Sequence, residues 1–259
     1  MHNRAVMALL IVPMLLCGAR PLAGVAQTTE RVMIRGQSQT LRLSGPPDGE
    51  PVIVSSGDGG WMHLGPHVAQ VLSASGYFVV GFDTKAYLES FTAGSQRLQT
   101  DQVAPDYRVL TAFATGRTGK KPTLIGVSEG AGLSVLAATD PHTKAVIAGV
   151  LGLGLPDVNE LGWRWRDALI YLTHGVPNEP TFSVAAIIGH VAPLPIGAIH
   201  STHDEFVPLT QVQRLMQGAG EPKKLWIVGA SDHRFSDNLT EFDRRLLEAV
   251  AWVKQNAPR

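Results

Sequence analysis

The sequence has little cysteine, no excess charge of either sign and no long apolar run. One cysteine among 259 residues excludes an internal disulfide framework, since a bridge needs two thiols. Lys and Arg together number 22, and so do Asp and Glu. The chain therefore lacks the basic excess with which nucleic-acid binders neutralise phosphate, and no nucleic-acid partner is expected. The apolar run Ala5–Leu16, interrupted by Pro13, is too short for a membrane-spanning helix, which needs roughly 18 residues or more. Aromatic residues make up only 7% of the chain, so Trp163, Trp165 and Tyr171 stand out as a local cluster.

What is present is a chain that can build a large core: 44% of the residues are hydrophobic and 17% charged, far from a disordered composition. Its start reads differently. A basic opening, Met1–Arg4, then the apolar run and the small residues Gly24-Val25-Ala26 form the pattern of a secretory signal peptide. Residues 1–26 are expected to be that signal, with cleavage after Ala26. Cys17 follows Leu15-Leu16, a poor match to lipidation sites, and leaves with the signal. The domain is then 27–259, slightly acidic and without cysteine, with neither a disulfide nor a thiol nucleophile. A periplasmic or secreted location is expected.

Along that domain, Arg31–Ile34 and Thr40–Leu43 alternate around Gly36–Gln39, the pattern of a half-exposed hairpin. Short apolar runs without alternation follow at Pro51–Val54, Tyr77–Val80, Thr123–Val127, Ala145–Leu151, Pro195–Ile199 and Lys224–Val228. Such runs suit strands buried on both faces. Helix-like segments separate them, at His67–Ser75, around Asp106–Ala114, Ala131–Ala138, Leu209–Met216 and Asn238–Lys254. The alternation predicts an α/β fold with one mostly parallel, doubly wound sheet. Residues 156–193, with four prolines and the aromatic cluster, read as a small cap insertion over one end of the sheet.

The chemistry-bearing motif is Gly126-Val127-Ser128-Glu129-Gly130, of the form G-x-S-x-G, with an apolar strand before it and a small-residue helix after it. A sharp strand-to-helix turn lifts a serine hydroxyl above the sheet, and the helix start favours developing negative charge. A resting serine is a weak nucleophile and needs a base held by an acid. Two later strands run into His200-Ser201-Thr202-His203-Asp204-Glu205 and into Asp232-His233. The chain order nucleophile, acid, histidine selects Asp204 and His233, with Glu205 the alternative acid and His200 or His203 the alternative bases. The oxyanion hole is expected from the backbone N–H of Glu129 and from the loop Ser55–Trp61, through Asp58 and Gly59. Gly57, Gly60, Trp61, Trp163 and Trp165 are the candidate substrate contacts. His63 and His67 could suggest a metal pair, but Pro66 lies between them and no third ligand has matching spacing, so no metal is expected. Neither a P-loop nor a dinucleotide fingerprint is present, and no cofactor is required.

Three of these stretches, Ser56–Trp61, Gly126–Ala131 and Asp232–Phe235 with the helix after it, resemble the bacterial virulence-protein branch of the α/β-hydrolases, the AcvB/VirJ type. The similarity runs through most of the domain, roughly Pro51 to Lys254. The resemblance implies an α/β-hydrolase fold, a periplasmic place and an acyl-ester hydrolase, with some members releasing the amino acid from aminoacylated phosphatidylglycerol. It carries the serine, acid and histidine onto Ser128, Asp204 and His233, and the oxyanion loop onto Gly57–Gly60. The elbow departs from the family form G-Y-S-F-G-A, having Val127 and Glu129 where that has aromatic residues. Glu129 and Asp58 are therefore candidates to attract an ammonium group. The expected partner is a small-molecule or lipid ester, with peripheral contact to a membrane surface. A generic carboxylesterase and a catalytically silent periplasmic binding protein are the competing readings.

Overall fold

The computed structural model describes residues 27–92, 95–164 and 179–258; residues 1–26, where a signal is expected, and Trp165 lie outside them. Its main sheet has eight strands: β1 (Thr28–Ile34), β2 (Gln37–Ser44), β3 (Glu50–Ser55), β4 (Tyr77–Phe82), β5 (Thr123–Val127), β6 (Gly149–Leu153), β9 (Ile196–Ser201) and β10 (Lys223–Val228). They lie in the order β1-β2-β4-β3-β5-β6-β9-β10. The pairs β1–β2 and β2–β4 are antiparallel and every other pair is parallel. A smaller antiparallel pair, β7 (Val158–Glu160) and β8 (Thr181–Ser183), stands apart.

The helices are α1 (Leu64–Ala74), α2 (Thr84–Phe91), α3 (Thr100–Thr118), α4 (Glu129–Thr139), α5 (Pro141–Lys144), α6 (Val184–Ile187), α7 (Leu209–Gly218) and α8 (Leu239–Asn256). They cover both faces of the sheet. Leu64, Val68 and Leu72 of α1 pack with Phe242, Leu246 and Val250 of α8 in one core. The other core takes Val103, Tyr107 and Leu110 of α3, the buried face of α4, and Val212 and Leu215 of α7. With helices on both sides, β3, β5, β6 and β9 are buried almost throughout, which is why their sequences run apolar without alternation. β10, at the edge, is only partly buried.

The expected doubly wound sheet is therefore present, with local differences. The hairpin turns at Arg35-Gly36, not over Gly36–Gln39. Both residues have positive φ, 45° and 80°, the geometry whose twist matches a two-residue hairpin, so Gln37–Gln39 pair as strand. Ala145–Leu151 is also shifted. Asp140 accepts from the Thr143 N–H at 2.8 Å, which holds Pro141–Lys144 in a helical turn and delays β6 to Gly149. In α1, Pro66 sits in the first turn, where an N–H has no helical acceptor to lose. The helix α2 and the pair β7–β8 were not expected; in the cap-like stretch, β7, β8 and α6 are described and 165–178 are not.

The parallel strands point one way, so the loops after β3, β5, β6, β9 and β10 gather at a single end of the sheet. Between β3 and β5 the winding reverses direction, and the crevice at such a switch point is where open α/β sheets place their sites. Ser128 stands at this position.

Candidate active site

Ser128 follows β5 and precedes the first turn of α4, with φ 49° and ψ −116°, a conformation that costs energy in a residue with a β-carbon. The surroundings enforce it. Ser128 N–H donates to Leu153 O at 2.9 Å, tying the turn to the end of β6. A β-carbon at Gly126 would lie 2.2 Å from Gly130 O, and one at Gly130 would lie 2.3 Å from Ser56 O. Both glycines of the motif are thus required by backbone approaching backbone. Glu129 opens α4, and its N–H, like the others of a first helical turn, has no intrahelical acceptor.

Asp204 and His233 come together from the loops after β9 and β10. His233 Nδ1 donates to Asp204 Oδ2 at 2.5 Å. Asp204 Oδ1 accepts from the backbone N–H groups of Phe206 at 2.9 Å and Val207 at 2.8 Å. Burial opposes ionisation of Asp204, but the His233 hydrogen bond and charge and these two N–H groups outweigh it and hold the carboxyl below its ordinary range. With Nδ1 carrying the proton, His233 Nε2 is an acceptor; it is buried and has no hydrogen-bond partner among the described residues. Its ring lies against Gly154, where a β-carbon would be 2.4 Å from Cε1. Gly154 directly follows Leu153, whose carbonyl binds Ser128 N–H. The serine turn and the imidazole therefore meet at the end of β6.

Of the alternatives, Glu205 does not take the acid position: its Oε2 accepts the backbone N–H of His233 at 2.7 Å and fixes that residue's main chain. His203 Nδ1 lies 3.0 Å from the neighbouring Thr202 Oγ1. His67 pairs with Asp243 of α8 at 2.6 Å while His63 caps α1.

On the other side of the serine, Gly57 makes the close approach. A β-carbon there would lie 3.5 Å from Ser128 Cβ. A tight turn follows, closed by Gly60 N–H to Gly57 O at 3.0 Å. Asp58 is half-buried and Gly59 exposed within it; Gly60, with φ 89°, faces Asp83 and Lys85.

This geometry agrees with the comparisons. Residues 50–161 match the family described as bacterial virulence protein (VirJ). The matched stretch runs from β3 through β7 and contains the Ser128 turn. An uncharacterized protein of Mycobacterium tuberculosis is 27% identical over 217 residues, covering 80% of this chain and 73% of the relative. Among solved structures, a dienelactone hydrolase from Anabaena variabilis superposes with TM-score 0.63 at 17% identity, covering 87% of this chain and 97% of its own. A membrane phospholipase A described as a bacterial virulence factor gives 0.64 at 13% identity, covering 90% and 88%. The esterase domain of a Rhodothermus marinus protein gives 0.60 at 19% identity, covering 89% and 99%. These structures share the fold of this chain.

Two of the expected substrate contacts, Trp61 and Trp163, pack against other parts of the protein. Trp61 lies on the sheet, its ring where a β-carbon on Gly81 would be, 2.2 Å away, with the Arg42 guanidinium 5.2 Å from its centroid. It packs on β4 because Gly81 leaves the space. Trp163 is buried in the core: its carbonyl accepts from Thr92 Oγ1 at 3.0 Å, and Lys85 Nζ sits 3.9 Å from its ring centroid. Burying the indole there wins over exposing it to lipid.

Glu129 also differs from its expected part as a carboxylate facing substrate. Its Oε1 accepts the N–H of Glu160 at 2.7 Å, tying β7 to the serine turn. Burial, then the charges of Asp58 and Glu160, push its carboxyl well above the ordinary range, with the Glu160 N–H only partly opposing. A carboxyl whose folded pKa is raised contributes stability below its unfolded pKa of about 4.3 and loses it as pH rises through the folded value. Glu129→Gln keeps the acceptor and has no proton to lose. Its Tm should match that of the original chain near pH 4 and exceed it increasingly toward pH 8; a Tm difference constant over that range would contradict the assignment.

Proposed function

We propose that this protein is a serine hydrolase of acyl esters in which Ser128 attacks, His233 is the base and Asp204 holds the base. The observation that carries the reading is the buried Asp204–His233 pair at 2.5 Å, with an unpartnered Nε2 beside the strained Ser128 turn. His233 Nε2 takes the Ser128 proton as Oγ bonds to the ester carbonyl. Asp204 holds the imidazole in the right tautomer and stabilises the imidazolium. The oxyanion takes hydrogen bonds from Glu129 N–H and from the backbone of the Gly57–Gly59 turn. His233 then returns the proton to the leaving alkoxide, leaving an acyl-serine, and the same group activates the water that hydrolyses it.

For the substrate we favour an aminoacylated phosphatidylglycerol. Family resemblance supports this, as do the carboxylates of Asp58 and Glu160 near the serine turn, which replace the Glu129 carboxylate in attracting an ammonium. Phe206, 69% exposed with its ring edge on His233 at 5.6 Å between centroids, adds an apolar surface beside the base. Met62 and Val158, 52% and 62% exposed, follow β3 and β6. They suit a peripheral approach to lipid. The secretory pattern at 1–26 supports a place for this work in the periplasm or outside the cell.

Lipid mass spectrometry of a bacterial extract incubated with the purified protein tests the reading. Loss of aminoacylated phosphatidylglycerol with the original chain, and not with Ser128→Ala, is the expected result. Loss of a different ester would move the substrate while keeping the chemistry. No loss, together with no labelling of Ser128 by a fluorophosphonate, would overturn the enzymatic reading and favour a binding protein.

A further inference from the structure

His200 is the second histidine of this site, and it lies behind the acid. It is the last residue but one of β9, fully enclosed, with Ile227 opposite it on β10. Its Nε2 is 2.9 Å from Val207 O. A carbonyl can only accept, so Nε2 carries the proton, and Nδ1 is left buried without a partner. Val207 is thereby held at both ends of its peptide frame: its N–H by Asp204 Oδ1 at 2.8 Å and its C=O by His200. The loop Asp204–Val207 is closed onto the strand that leads into it. That closure turns Oδ2 toward His233 Nδ1, with His200 Nε2 itself 3.8 Å from the same oxygen.

We propose that His200 is a positioning residue for the hydrolysis: as a neutral Nε2–H imidazole it pins the acid loop through Val207 O, so that Asp204 Oδ2 stays on His233. The inference rests on the Ser128–His233–Asp204 reading above. Neutrality is part of the device, because a cation 3.8 Å from Oδ2 would compete with His233 for the same carboxylate. Burial, aided by the charge of His233, holds His200 below its ordinary value, against the opposite pull of the Val207 carbonyl and Asp204. Those two titratable groups, Asp204 from its own loop and His233 from the loop after β10, are the ones that act on it; Glu205 engages the His233 main chain instead.

The test compares His200→Leu, which fills the space without a donor, with His200→Gln, whose side-chain Nε2 can still reach the carbonyl, on a soluble aryl ester. His200→Leu should lower kcat about tenfold or more with KM little changed, and should move the acid limb of kcat/KM to lower pH, since a loosely held Asp204 stabilises the His233 imidazolium less. His200→Gln should restore most of kcat and the original pH profile. Asp204→Asn is measured beside them. Activity retained in Asp204→Asn would overturn the acid assignment and this inference with it. An inactive Asp204→Asn alongside a His200→Leu with unchanged kcat and pH profile would overturn the role of His200 alone. Should His200→Leu not fold, imidazole nitrogen NMR of the original chain decides: a neutral Nε2–H form of His200 at about pH 6 is expected, and an imidazolium would refute the proposal.

Discussion

Ser128→Ala should lower kcat/KM for acyl esters by about 10⁴-fold or more, the scale on which a triad nucleophile is lost. The domain 27–259 holds no cysteine to substitute as nucleophile, since Cys17 is the chain's one thiol. Whatever turnover remains would come from the oxyanion donors and substrate binding alone. Folding should be nearly unaffected: Ser128 makes no side-chain cap to α4, and alanine has the same β-carbon at φ 49°. The measurement is steady-state kinetics with thermal unfolding as control. A variant retaining a tenth of the original activity would remove Ser128 from the mechanism.

Gly126→Ala should be among the most destabilising substitutions in the chain, by about 3 kcal/mol or more. The new β-carbon would meet Gly130 O at 2.2 Å and Ala131 N and Cα at 2.3 Å, all backbone atoms of α4, so no side chain can rotate away. Nor can the strand yield, because β5 is hydrogen-bonded between β3 and β6. Relief requires lifting the whole first turn of α4, which displaces Ser128 as well. Gly116→Ala is the matched contrast: it lies in α3 with nothing within 4 Å of the added carbon, and there alanine should stabilise by about 0.5–1 kcal/mol. Urea unfolding of both variants reads the pair of signs, and a small loss at Gly126 would contradict the close approach.

Much of this architecture was legible before folding. Buried parallel strands carry apolar runs without alternation, and six such runs marked β3, β4, β5, β6, β9 and β10, with β6 displaced by the Asp140 cap. The G-x-S-x-G turn was legible because backbone crowding at Gly126 and Gly130 admits nothing larger than hydrogen. His233 and the pair of candidate acids, Asp204 and Glu205, were legible from chain order and from lying just past strand ends.

Other features had no such signal. Trp61 and Trp163 looked like substrate contacts because an indole suits a wet apolar boundary, yet the space left by Gly81 laid Trp61, half-buried, on β4, and the buried Thr92–Trp163 pairing drew Trp163 into the core. Gly154 went unnoticed as the support of His233; a glycine directly after a buried strand was the available clue. Glu129 looked like a free carboxylate, and only its burial beside two neighbouring acids raises its pKa, against the pull of the Glu160 N–H.

The sequence by itself determined the strand and helix alternation, the serine turn and the order of acid and base, because each depends on local backbone chemistry and on residues near one another in the chain. Tertiary structure alone decided which acid meets His233 and which glycine approaches Ser128. Those contacts join loops tens of residues apart. They exist because parallel strands deliver every loop to one end of the sheet, where burial and hydrogen bonding choose among side chains that the linear order leaves equivalent.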